Sequence, residues 1–126
     1  MDSGEVFITY TNFLKVMRDS QIFDEKVNQN TISIIISKEC NATTNMIKHI
    51  TFEQFLNAIL RISETKYEEL FKKHPKSALK ELLKRNILPL LKRIEAAVEK
   101  QSDEFQYSLY TVSELTLKLI VYNEDT

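Results

Sequence analysis

The stretch from Ile50 to Ile62, Ile-Thr-Phe-Glu-Gln-Phe-Leu-Asn-Ala-Ile-Leu-Arg-Ile, constrains the fold most, because it marks both where a helix starts and which face it buries. Thr51 is a good N-cap residue, and Gln54 three positions later can reach back to the Thr51 backbone N–H, so Thr-Phe-Glu-Gln spells a capping box. Phe52, Phe55, Leu56, Ile59 and Ile62 then recur at helical spacing and define one apolar face. The predicted structural core draws on Phe13, Ile35, Ile50, Phe52, Phe55 and Ile59.

An isolated apolar Ile50 just before the cap has the layout of an EF-hand loop running into its exiting helix. With Ile50 at loop position eight, Thr43 falls at one, Asn45 at three, Ile47 at five, Lys48 at six and Gln54 at twelve. Calcium needs hard oxygen donors at these places, with glycine at six for the turn and a bidentate glutamate at twelve. This loop offers an amide at twelve, an aliphatic at five and a cation at six. The reading is a scaffold with no competent calcium loop and no metal ligands. The other reading, in which Thr51 caps an ordinary helix of an unrelated bundle, stands beside it.

The chain has 126 residues with one glycine, Gly4, and two prolines. Few breakers favour long helices joined by short polar loops, hence an all-α fold. Lone Cys40 excludes an internal disulfide and a cysteine-rich metal site, and fits a reducing compartment. The start, Met-Asp-Ser-Gly-Glu, lacks secretory or transit character, and no apolar run reaches bilayer length. A soluble cytoplasmic protein with no membrane partner is the expectation. Net charge is -1, but residues 66–100 carry 10 basic against 5 acidic groups and 101–126 carry 1 against 5. A basic middle therefore precedes an acidic tail.

Along the chain, Ser3 can cap a first helix with Glu5 in its first turn, and Val6, Tyr10, Phe13, Leu14 and Met17 share a face. Residues 19–30 read as a loop. Residues 31–40 hold four isoleucines in five positions, which favours a strand on propensity. Yet Ile32, Ile35, Ile36 and Cys40 also form a helical stripe with Thr31 as cap, and a helix is predicted. After a break at His74-Pro75, residues 76–100 form the longest amphipathic run, in phase across Pro89. Pro89 implies a kink or a fresh helix. Residues 105–110 alternate as an extended segment would, and Thr111-Val-Ser-Glu114 is a second capping box ahead of Leu115, Leu119 and Tyr122.

The order Phe13-Leu-Lys-Val-Met-Arg-Asp19, polar loop, Ile-Ile-Ile-Ser-Lys38, polar loop, Ile50-Thr-Phe-Glu-Gln-Phe-Leu-Asn-Ala-Ile59, Lys66-Tyr67 resembles the tubulin polymerization-promoting protein (p25-alpha) family over roughly residues 7–72. The resemblance implies a small EF-hand-like helical core and a role in binding and stabilising microtubules. That family's glycine-rich C-terminal segment has no counterpart here, so residues 76–126 read as a different appendage. The chain divides into a degenerate EF-hand-like domain, residues 1–74, and a helical extension with an acidic, apolar tail, residues 75–126.

No catalytic constellation stands out. Cys40 with His49 or His74 lacks an oxyanion turn or an orienting group, and reads as a structural thiol with two surface histidines. One glycine cannot build a phosphate loop, so neither enzyme chemistry nor a cofactor is expected. The basic run Lys72, Lys73, Lys76, Lys80, Lys84, Arg85, Lys92 and Arg93 is the candidate partner-binding surface, together with Phe105, Tyr107 and Tyr110 in the tail. Nucleic acid is not expected, because few stacking aromatics are interleaved with the cations. The implied partners are tubulin or microtubule-associated proteins in a larger assembly. The expected function is a microtubule-associated structural protein of the cytoskeleton, in its finer form a component of ciliary axonemes. A small helical adaptor or accessory subunit of another intracellular assembly is the alternative.

Overall fold

Two segments of the chain share one residue pattern, Ile8-Thr9-Tyr10-Thr11-Asn12-Phe13-Leu14 and Ile50-Thr51-Phe52-Glu53-Gln54-Phe55-Leu56. In the computed structural model, which describes residues 6–105 and 107–124, both fold the same way. A short strand, β1 (Phe7–Thr9) or β2 (His49–Thr51), runs straight into a helix, α1 (Tyr10–Asp19) or α3 (Phe52–Lys66). Thr9 caps α1 by accepting from the Asn12 N–H, and Thr51 caps α3 by accepting from the Gln54 N–H. In α3 the Gln54 side chain also accepts from the Thr51 N–H at 2.9 Å, which completes the capping box. These bonds satisfy N–H groups that every helix start leaves without an internal partner.

The strands pair antiparallel, with Ile8 opposite Ile50. Phe13 and Phe55 then meet edge to face, 6.1 Å between ring centroids. All four side chains are buried, so the repeated pattern packs against itself about an approximate twofold axis. Ile59 is also buried, while Ile35 and Phe52 are partly buried against the same core. The small sheet is an addition to the mostly α architecture. Among the described residues the first helix starts at Tyr10, because Val6 to Thr9 are used for entry and pairing; the expected cap at Ser3, with Glu5 in its first turn, lies outside the described residues.

The isoleucine-rich segment is helical, as α2 (Gln29–Cys40). Its cap is Asn28, whose side chain accepts from the Thr31 N–H, so the cap sits three positions earlier than Thr31. Asn41 ends it in the left-handed conformation at φ 53°, which asparagine tolerates. The loop between α1 and α2 is held by Lys66 at the end of α3, whose ammonium donates to the Ile22 carbonyl at 2.8 Å and to Asp24 Oδ2 at 2.6 Å.

Beyond Tyr67 come α4 (Glu68–Lys73), α5 (Pro75–Leu82), a π-helical turn (Leu83–Ile87) and α6 (Leu88–Glu99). His74 is extended at φ −159°, ψ 93°, as a residue before proline prefers, and this breaks the chain between α4 and α5. At Pro89 there is no fresh start after a loop. A proline inside an α-helix lacks a donor and collides with the carbonyl one turn back. The wider π turn just ahead of it makes room while keeping the chain helical.

The π turn also presents Asn86 inward, where its side-chain amide donates to the Ser20 carbonyl at 2.9 Å and the Gln21 carbonyl at 3.1 Å, closing the end of α1. The last helix, α7 (Leu109–Glu124), starts before the expected Thr111 cap. Ser108 takes that role, accepting from the Thr111 N–H at 2.9 Å. Val112, Leu115 and Leu119 of α7 join Leu79, Leu82, Leu90 and Ile94 in the same core as Phe13, Ile50 and Phe55.

Candidate functional site

The members of the basic run differ in what they contact. Lys72 lies 3.8 Å from Glu68 and 4.0 Å from Glu69 on its own helix. Arg85 Nε lies 2.8 Å from Glu81, and its hydrogen bond helps hold the Glu81 carboxyl below the usual range. The Arg93 guanidinium donates to the Asp19 carbonyl at 2.6 Å. Lys73 and Lys92 are exposed on α4 and α6.

Lys76, Lys80 and Lys84 are brought together. They line a cleft of about 480 Å³ between α5, the π turn and the end of α7. Leu83, Leu88 and Ile120 also line it, so the cleft combines apolar residues with three lysine side chains. Two contacts fix its wall: the Asn123 amide donates to the Lys76 carbonyl at 2.7 Å, and the Lys76 ammonium sits 5.0 Å from the Tyr122 ring centroid. The cation over the aromatic ring adds an attractive contact between α5 and α7.

Of the tail aromatics, Tyr110 is 69% exposed and Phe105 is half-buried against the core. Tyr107 differs from the expectation of a partner surface. It is 9% exposed, and its hydroxyl donates to Asp19 Oδ2 at 2.7 Å. Burial and then this carboxylate push its phenol well above the ordinary tyrosine range, so it stays a neutral donor. Sequence reasoning missed Leu88, Ile120 and Asn123. Leu88 had one visible signal, since it falls out of phase with the leucine stripe of residues 79–94.

The p25-alpha family pattern matches residues 2–114 of this sequence. The chain belongs to the p25-alpha family. The match runs well past residue 72 and takes in α4, α5, the π turn, α6 and the start of α7, so residues 76–114 are part of the p25-alpha pattern rather than a foreign appendage. No curated protein and no solved structure matches the chain. The p25-alpha family is non-enzymatic and associated with promotion of tubulin polymerization, which gives it a cytoskeletal setting.

Elsewhere in this p25-alpha chain the geometry argues against other chemistry. In the loop before α3, Ile47 is buried, and the Gln54 side-chain oxygen that would face an ion at position twelve is instead bonded in the helix cap. Among the described residues no group of three His, Cys, Asp or Glu side chains is placed to hold a metal ion, and no helix is long and apolar enough to cross a membrane. Burial, and secondarily Glu39, push the Cys40 thiol up, which keeps it protonated and a poor nucleophile.

Proposed function

We propose that this chain is a non-enzymatic structural protein that binds the microtubule lattice and stabilises it. The p25-alpha match carries the reading. The exposed lysines support it, since Lys73, Lys80, Lys84 and Lys92 offer positive charge to an acidic surface at long range. On this reading, residues 1–74 act as an EF-hand-like scaffold, a role supported by the paired strand-to-capped-helix units. Residues 75–126 carry the contact surface, and the finer setting is a fixed place in ciliary axonemal microtubules, as part of a larger assembly. Co-sedimentation with taxol-stabilised microtubules at low and moderate salt tests the binding, and a chain that remains in the supernatant at every salt concentration refutes it.

A second reading, a helical adaptor for another assembly, is favoured by one observation. Tyr110, Leu117 and Val121 form an outward stripe on α7, with Leu117 55% and Val121 57% exposed. Leu117→Ser with Val121→Ser tests it without touching the core. Loss of a specific non-tubulin complex with microtubule pelleting unchanged would favour the adaptor.

A further inference from the structure

We propose that the cleft between α5 and α7 seats an acidic peptide segment of a protein partner, with carboxylates along the lysine row and one large apolar side chain on the floor. The inference rests on the reading of this chain as a tubulin-binding protein and names the part of the partner that it takes. Three observations point the same way.

The first is the π turn. In an α-helix, residues five apart diverge by about 140° around the axis, so Leu83 and Leu88 would sit on different faces. The wider turn from Leu83 to Ile87 brings both onto one wall, where Ile120 of α7 faces them. An apolar floor therefore exists where a regular helix would not provide one. Its volume of about 480 Å³ has room for a large side chain.

The second is charge. Lys76, Lys80 and Lys84 line this floor at one-turn spacing, and among the described residues Glu124 is the acidic side chain that lines it with them. Lys76 is positioned over Tyr122, while Lys80 and Lys84 are exposed. A row of ammonium groups beside apolar surface complements a peptide that alternates carboxylates with an apolar anchor.

The third is rigidity. The Asn123 bond to the Lys76 carbonyl fixes the end of α7 against the start of α5, so the walls are set before a ligand arrives. Among the described residues no Phe, Tyr or Trp lines the cleft, and His74 is its one aromatic ring, short of the stacking platform that single-stranded nucleic acid uses.

The test uses the full chain and a fluorescein-labelled polyglutamate peptide with one central leucine, followed by anisotropy, beside a microtubule pelleting assay. Saturable binding is expected, weaker when the leucine is replaced by alanine. Lys80→Glu with Lys84→Glu, both exposed and shown by melting to leave the fold intact, should weaken the peptide about tenfold or more. Peptide affinity unmoved by that double change overturns the proposal, as does a single-stranded oligonucleotide of equal charge that binds more tightly. If the double variant loses the peptide yet pellets with microtubules as wild type does, the cleft is overturned as the tubulin contact while the tubulin reading stands. If wild type binds the peptide at the lysine row but does not pellet, the tubulin reading fails and the cleft stands as a seat for acidic peptides.

Discussion

The hydroxyl of Tyr107 donates to the carboxylate of Asp19 at 2.7 Å, and this bond joins the approach to α7 to the end of α1. Two further groups converge on the same end: Arg93 bonds the Asp19 carbonyl, and Asn86 bonds the carbonyls of Ser20 and Gln21. The last turn of α1 leaves carbonyls without helical partners, and two side chains from the second half of the chain, Arg93 and Asn86, satisfy carbonyls at and just beyond it, while Tyr107 takes the Asp19 carboxylate. The two halves of the sequence are stitched at this point.

Tyr107→Phe should cost about 1–2 kcal/mol in denaturant unfolding near neutral pH, since it removes one hydrogen bond to a charged group and leaves Asp19 partly hydrated. The phenol's ionisation is raised in the fold, so its contribution is fully present below the ordinary value of 10.0 and is lost as pH rises through the higher folded value. Wild type should therefore lose stability above pH 10 more steeply than Tyr107→Phe. Parallel alkaline curves for the two proteins would contradict the buried bond.

Asp24→Asn tests the loop between α1 and α2. Burial pushes the Asp24 carboxyl up, but the Lys66 ammonium and the Val27 and Lys26 N–H groups together outweigh it and leave the carboxyl below its ordinary 3.8. That stability is present above the ordinary value and lost as pH falls through the lowered one. The variant should be less stable by about 1 kcal/mol at neutral pH, with the gap to wild type closing in strong acid. An amide can still accept the turn bonds, so a gap independent of pH would assign the effect to something other than charge.

Phe55→Ala should lower stability by about 3–5 kcal/mol, because the ring is 2% exposed and faces Phe13 at the centre of the repeated unit. Chemical denaturation with the slope monitored is the measurement. A small loss with an unchanged slope would mean that the pair collapses around the gap.

Calcium should leave melting unchanged, and Gln54→Glu should not create a site, because Ile47 stays buried and a glutamate at this position continues to serve the cap. Titration calorimetry on both proteins reads the result. Saturable heat at micromolar calcium in either one would overturn this account of the loop.

What could be read from the sequence was what is local. The Thr51 and Gln54 pair declares itself within four residues, and the break at His74-Pro75 follows from one backbone restriction. The strand Phe7–Thr9 was hidden because its partner, His49–Thr51, is distant in sequence, although the repeated Ile-Thr-aromatic pattern was there to be seen. Thr31 and Asn28 are both adequate cap residues, and the helix uses the earlier one, whose side chain accepts from the Thr31 N–H. Pro89 offered two solutions on paper, and the chain combines helix continuity with a restart: α6 begins at Leu88 with Pro89 in its first turn, directly after the π turn. The lysines of the cleft were visible as a run, but Ile120 and Asn123 arrive from a helix whose docking no local pattern announces.

Lys66 carries one last consequence. In ion-sensing loops, oxygen atoms gather around a cation that diffuses in and out, and the loop's order rises and falls with its concentration. Here the Ile22 carbonyl and the Asp24 carboxylate gather around an ammonium tethered to α3 by its own aliphatic stem. The local concentration of that cation is set by the covalent chain and does not fluctuate with the surroundings. The cation that ties this loop arrives with α3 itself, so what a sensor would use as a variable is built here as a constant.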